Sequence, residues 1–246
     1  MTSSSKPEPG TTCNPITIRR SLLSILMNSF FNLLYSHLAW IYDLVAWLVS
    51  GGAWWDWQKS ALFDGASGQI LELGSGTGHL LVDLLTQKCN VYGMDRSRQM
   101  ISITGKKLRD RGFPAVLVRA DTVRLPFPSS SFDLLLATFP PPALLHSESA
   151  SEYFRLLKPG GRLHITLGLS TYEHENNSSP VQMIHTFLSM LYRNTLRPDQ
   201  LSSLESSLFP AFSRAGFQTT LLQVEQKNAV LLVLCCTRST ADPPVV

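Results

Sequence analysis

The feature that most limits this chain is the run Ile70-Leu71-Glu72-Leu73-Gly74-Ser75-Gly76-Thr77-Gly78. Residues suited to a buried strand pass at once into a glycine loop, and Leu80, Leu81, Leu84 and Leu85 then recur at helical spacing. Strand, glycine loop and helix in that order open a parallel α/β sheet. The loop's bare backbone lets a ligand approach the amide groups of a helix N-terminus. A dinucleotide fingerprint, G-x-G-x-x-G, would put its third glycine at position 79. His79 stands there, so the spacing is G-x-G-x-G and a dehydrogenase is disfavoured.

Strand and helix signals alternate from residue 69 onward. Residues 90–94 read as a second strand, followed by a helix to about residue 112. Residues 115–120 and 132–138 read as the third and fourth strands, the latter apolar enough to be buried on both faces. A helix over 148–157 leads to a turn at Lys158-Pro159-Gly160-Gly161 and a fifth strand over 162–167. Helices are expected over 181–193 and 204–215, and residues 217–224 and 229–236 close the sheet as a hairpin. The expected fold is a doubly wound α/β sheet of seven strands, mostly parallel, with an antiparallel C-terminal hairpin.

Four regions follow from composition. Residues 1–15, with Ser3-Ser4-Ser5 and several prolines, and residues 239–246 read as disordered tails flanking a helical segment over 16–62 and a main domain over 63–238. Residues 21–42 carry no Asp, Glu, Lys or Arg and follow Arg19-Arg20. Ser24, Asn28, Asn32 and Ser36 form a polar stripe opposite Leu22, Leu26, Phe30 and Leu33, the pattern of an amphipathic helix. Three roles fit residues 21–49: a lid over the site, a helix lying on a membrane surface, or a span. With no small-residue cleavage site near the apolar stretch, a cytoplasmic protein, peripheral to a membrane at most, is expected. Trp47, Trp54, Trp55 and Trp57 add a dense aromatic stretch.

Cysteines at 13, 89, 235 and 236 contain no C-x-x-C spacing, so reduced thiols and no metal site are expected. Charged residues make up 16% of the chain, against roughly 25% in ordinary soluble domains. The net charge is +3 and no basic run is longer than Lys106-Lys107, which argues against a nucleic-acid partner.

Two acids close successive strands. Asp95, at the end of the second, has two carboxylate oxygens that can accept both hydrogen bonds of a ribose diol, and Asp121, after the third, can accept from an adenine amino group. Taken singly, Asp95 also reads as a strand-end turn residue and Asp121 as a turn residue or helix cap. Together with the glycine loop they present three ligand-binding groups along one sheet edge.

These residues resemble class I S-adenosylmethionine-dependent methyltransferases over roughly residues 69–168. The similarity runs through the loop from Glu72 to Gly78, Asp95, Ala120-Asp121-Thr122-Val123-Arg124-Leu125-Pro126-Phe127, Ser131-Phe132-Asp133 and Leu157-Lys158-Pro159-Gly160-Gly161. The resemblance implies a Rossmann-like fold and S-adenosylmethionine as cofactor. It implies contacts from Glu72, Gly74, Ser75, Gly76, Gly78, Asp95, Arg96, Met100, Asp121, Thr122, Thr138 and Tyr42. Upstream, Tyr42-Asp43, Ser50-Gly51 and Trp57 are similar to the covering segment of quinone-biosynthesis C-methyltransferases. After the fourth strand the chain departs from that subgroup, reading Thr138-Phe139-Pro140-Pro141-Pro142. This run is also unlike the Asn/Asp-Pro-Pro-aromatic motif of amino-methylating nucleic-acid enzymes, since Phe139 and Pro142 hold the two places that matter.

The implied reaction is methyl transfer to a small hydrophobic acceptor at carbon or oxygen, quinoid, phenolic, polyketide or lipid-like. A dry pocket that aligns the reactants suffices for such a displacement. No catalytic residue is assigned; His146, Tyr172 and His174 are the candidate bases by position.

Overall fold

The computed structural model describes residues 43, 44, 47, 50, 52–170, 198–226 and 229–240. Expectations for residues 1–42, the helix over 181–193 and the last six residues lie outside that set, as do Tyr42, Tyr172 and His174.

The chain enters through helix α1 (Trp54–Gln58) and a 3-10 turn (Lys59–Leu62). Strand β1 (Gln69–Leu73), helix α2 (His79–Thr86), strand β2 (Asn90–Asp95), helix α3 (Arg98–Asp110) and strand β3 (Leu117–Arg119) follow. Then come β4 (Phe132–Thr138), a 3-10 turn (Pro142–Leu145), α4 (Ser147–Leu156), β5 (Leu157–Ser170), α5 (Pro198–Arg214), β6 (Phe217–Gln226) and β7 (Ala229–Arg238). The seven strands lie in the order β3-β2-β1-β4-β5-β7-β6, and β7 alone runs against its neighbours. This is the expected doubly wound sheet. From β1 the chain winds out through β2 to the β3 edge and returns to β4 on the other side of β1. That reversal opens a crevice at the strands' carboxyl ends between β1 and β4, the place where such sheets bind ligands.

Alternation along the strands divides the core. Leu71, Leu73, Leu135, Ala137, Leu163 and Ile165 pack on Ala150, Tyr153 and Leu156 of α4 and Phe212 of α5. Their neighbours Ile70, Leu134 and Leu136 turn to the other face, against Leu80, Leu81 and Leu84 of α2, Leu108 of α3 and Ala61. On this second face β5 carries polar residues. Thr166 Oγ1 and Ser60 Oγ lie 2.9 Å apart, and His164 Nδ1 donates to Ala61 O at 2.9 Å. These buried bonds fasten the entering segment to the sheet. Burial is also what pushes the His164 imidazole's pKa down, more than the Ala61 carbonyl and the nearby Asp64 carboxylate raise it.

Two boundaries differ from the sequence reading. The turn expected at residues 158–161 is absorbed into β5: Phe132 pairs with Leu157 and Leu134 with Arg162, so β5 carries the extra residues as a bulge. Gly160 takes φ +77° there, and Lys158 Nζ meets Asp133 Oδ2 at 2.7 Å across it. The third strand is shorter than expected, pairing with β2 only from Leu117 to Arg119, because it is an edge strand entered from Pro114. Among the described residues no helix is long and apolar enough to cross a membrane.

Candidate functional site

The site grows from the loop after β1. Gly74, Gly76 and Gly78 all take positive φ (71°, 52° and 75°), and Gly78 is the N-cap of α2. At Gly78 a side chain is excluded twice over: the backbone is left-handed, and a Cβ would fall 2.3 Å from Thr104 Cγ2. The same threonine, fully buried on α3, donates from Oγ1 to Gly76 O at 2.7 Å and so holds the loop against the helix.

Asp95 binds the loop to the next one. Its Oδ2 accepts from Gly76 N at 2.9 Å and its Oδ1 from Ser97 N at 2.7 Å. Ser75 N donates to Met94 O at 2.8 Å beside it. Burial raises the Asp95 pKa, against the lowering effect of the backbone amides of Ser97, Gly76 and Arg96. Two carboxylate oxygens offer about four acceptor sites, so beyond these amides there is capacity for a further donor.

Glu72 lies beneath the loop, 2% exposed, and its Oε2 has no hydrogen-bond partner among the described residues. Burial, then the Asp95 charge, push its pKa up to about 8, opposed by the Leu81 backbone amide. Burying a carboxyl with one oxygen unpartnered costs free energy, so it marks a place where a ligand can complete the site.

The remaining residues singled out from the sequence divide. Arg96 Nε lies 3.7 Å from Asp121 Oδ2 at the exposed end of β3. Thr122 turns inward, its Oγ1 3.0 Å from Ser149 Oγ of α4. Met100 is buried in the first turn of α3, where its amide donates to Ser97 Oγ at 3.3 Å. Ser75 is buried, and its Oγ has no hydrogen-bond partner among the described residues. Thr138 ends β4, and His146 is exposed at the start of α4.

Beyond Thr138 the chain makes an apolar wall. Phe139 takes φ +49°, a strained backbone for a bulky residue, and donates its amide to Thr166 O at 2.8 Å. Trp54 stacks on its ring with centroids 4.6 Å apart, and Trp57, Ala53 and Leu231 complete the cluster. The strain is sustained where the ring is gripped.

One constellation escaped the sequence reading. Asp43 Oδ1 accepts from Thr77 Oγ1 at 2.5 Å, and its Oδ2 lies 2.8 Å from His79 Nε2 and 3.5 Å from Lys107 Nζ. Trp55 stacks on His79 at 3.6 Å. Burial would raise the Asp43 pKa, but hydrogen bonds from His79 and Thr77, with the His79 and Lys107 charges, carry it below the usual value. A signal was available: Asp43 is the first charged residue after Arg20. Among the described residues no cluster of His, Cys, Asp and Glu could hold a metal.

The glycine cradle, the orphaned Glu72 oxygen and the two strand-end acids fit an adenosyl amino-acid sulfonium. Residues 70–161 match the model of a family described as a methyltransferase domain. Over 136 residues the chain is 35% identical to a demethylmenaquinone methyltransferase of Thermus thermophilus, covering 53% of this chain and 62% of the relative. Over 131 residues it is 35% identical to a ubiquinone/menaquinone biosynthesis C-methyltransferase of Vibrio vulnificus, covering 50% of each. The matched stretch thus spans half to three-fifths of these relatives' length. Among solved structures, a Haemonchus contortus phosphoethanolamine N-methyltransferase 2 in complex with S-adenosyl-L-methionine superposes with a TM-score of 0.55 at 16% identity, over 85% of this chain and 60% of that one. The fold is that of the class I, Rossmann-like methyltransferases, and the sequence resembles those of quinone-biosynthesis C-methyltransferases.

Proposed function

We propose that this chain is an S-adenosylmethionine-dependent methyltransferase that methylates a small hydrophobic acceptor at a carbon or oxygen nucleophile. The observation that carries the reading is the joining of Asp95 to the glycine loop, together with the buried Glu72 carboxyl at the end of β1, whose Oε2 has no hydrogen-bond partner among the described residues. In this reading the backbone from Gly74 to Gly78 lies against the amino-acid portion of the cofactor, with Glu72 facing its cationic end. Asp95 accepts from the ribose hydroxyls and Asp121 from the adenine amino group. Bound S-adenosylmethionine supplies an electrophilic sulfonium methyl group.

The chain's task is then alignment and exclusion of water. Phe139, Trp54 and Trp57 form an apolar wall beyond β4, where an apolar acceptor gains about 25 cal/mol per Å² buried and a highly charged one loses hydration without a fixed partner. Attack by an anionic carbon or oxygen on a sulfonium neutralises charge, which a dry pocket favours. The named relatives act on quinone precursors, which supports quinoid and phenolic acceptors; polyketide and lipid-like acceptors share the same chemistry. A cytoplasmic location suits this role.

Calorimetry on the full chain tests the cofactor: S-adenosylmethionine and its demethylated product bind and NAD does not. A panel of labelled-methyl transfer assays tests the acceptor. Turnover among phenolic, quinoid, polyketide or lipid acceptors is expected. Robust methylation of tRNA, DNA or a basic protein instead overturns the reading.

A further inference from the structure

Three buried hydroxyls connect the turn after β3 with the turn after β4. Thr122 lies in the first, which Arg124 N closes onto Asp121 O at 3.2 Å, and Ser149 and Tyr153 stand one turn apart on α4. Tyr153 Oη donates to Leu144 O at 3.2 Å, and Ser149 Oγ donates to Ala143 O at 3.0 Å. A serine hydroxyl has a single proton. With that proton given to Ala143 O, the 3.0 Å bond between Thr122 Oγ1 and Ser149 Oγ is donated by Thr122. Burial pushes the Tyr153 pKa up, opposed by the Thr122 and Ser149 hydroxyls and assisted by the Asp121 charge, so the phenol stays a donor.

Both carbonyls belong to the 3-10 turn Pro142–Leu145, which Leu144 N closes onto Pro141 O at 3.0 Å. So short a 3-10 turn has poor internal hydrogen-bond geometry and little stiffness of its own. The two hydroxyls on α4 hold it in place. Leu144 is buried, and its Cδ2 lies 3.6 Å from where a Cβ on Gly74 would stand. The turn after β4 thus meets the loop after β1 at the crevice between those two strands.

We propose that Thr122, Ser149 and Tyr153 are positioning residues for the cofactor, holding the Leu144 side chain against Gly74 where it borders the amino-acid end of S-adenosylmethionine. This rests on the function proposed for the chain, in which Asp121 takes the adenine and the backbone from Gly74 onward takes the amino-acid portion. The hydroxyl chain begins beside the first of these and ends at the second, so it sets the spacing between the two ends of the site.

Calorimetry with two ligands separates this role from a merely structural one. S-adenosylhomocysteine has both ends of the cofactor, whereas 5′-methylthioadenosine keeps the adenosine and the sulfur but has no amino-acid chain. Tyr153→Phe preserves the buried ring and removes the donor. It should weaken S-adenosylhomocysteine binding about five- to tenfold, the scale of one buried hydrogen bond, and methylthioadenosine binding by less than about twofold. Ser149→Ala should do the same. Leu144→Ala should reproduce the selective loss, and Y153F added to it should cost nothing further, because the bond acts through that side chain. Should Tyr153→Phe fail to fold, Thr122→Val gives the same comparison at the far end of the chain, with Thr122→Ser, which keeps the hydroxyl, retaining parent affinity. Equal weakening of both ligands, weakening of neither, or full additivity in L144A/Y153F overturns the proposal alone. A parent chain that binds neither ligand overturns the function beneath it as well.

Discussion

Asp43 Oδ2 lies 2.8 Å from His79 Nε2, a contact that ties the entering segment to the first residue of the helix above the glycine loop. Thr77, inside the loop, donates to the other oxygen of the same carboxylate. Any movement of the entering segment away from the site must break both bonds.

Asp43→Asn removes the charge while keeping the shape. Charge-assisted hydrogen bonds are worth about 1.5–3 kcal/mol, so the variant should lose about that much stability and release S-adenosylmethionine several-fold faster in stopped-flow chase. Because the folded pKa of Asp43 is depressed, its contribution is present above the unfolded value of 3.8 and is lost as pH falls through the lower folded one. Parent and variant should therefore converge in stability under strong acid. Equal release rates at neutral pH would count against the clasp.

Asp95→Ala should weaken S-adenosylmethionine binding by about 1.5–3 kcal/mol in calorimetry, the scale for bonds to a charged group. Since Asp95 also holds Gly76 N and Ser97 N, the variant should melt earlier as well. Asp95→Asn, able to accept at one oxygen only, should fall between the two. Undiminished affinity in both would remove the ribose assignment.

Glu72→Gln should stabilise the free protein while weakening cofactor binding. The folded pKa of Glu72, about 8, stands above the unfolded 4.5. Between those values the folded chain keeps a proton that the unfolded chain gives up, so parent stability declines as pH rises through this window. Glutamine has no such proton. The stability difference in its favour should widen from mildly acidic to mildly alkaline pH, to about 5 kcal/mol over the whole window from 4.5 to about 8 at a scale of ~1.4 kcal/mol per pKa unit. A difference that does not vary with pH would show that Glu72 is not the source.

Gly78→Ala meets both a left-handed backbone and Thr104 Cγ2, and should cost about 2–4 kcal/mol by chemical denaturation. Thr104→Ser keeps the hydroxyl that bonds Gly76 O and removes the clashing methyl. The double variant G78A/T104S should regain about 1 kcal/mol relative to additivity. Strict additivity would place the penalty in the backbone alone.

The parallel sheet was legible because β1, β2 and β4 are short apolar runs set off by glycine, asparagine and aspartate, and local pattern alone identifies such strands. The β4–β5 bulge was not. Pro159, Gly160 and Gly161 read as a turn, and only the pairing of Phe132 with Leu157 makes them part of a strand. The same limit explains the site. Glu72, Asp95 and the glycines stand close together in sequence or at successive strand ends, whereas the Asp43–His79–Lys107 cluster joins three elements whose approach depends on packing. Thr122, named through the resemblance over residues 120–127, bonds Ser149 of α4 from the turn between Asp121 and Arg124, a contact that depends on packing.

Glu72 also couples ligand binding to the solvent's acidity. In the free protein its carboxyl holds a proton up to about pH 8. A cation seated against Oε2 favours the ionised form and expels that proton into the medium. Heats of binding measured near neutrality should therefore track the ionisation enthalpy of the buffer, and an unbuffered solution should acidify as the site fills.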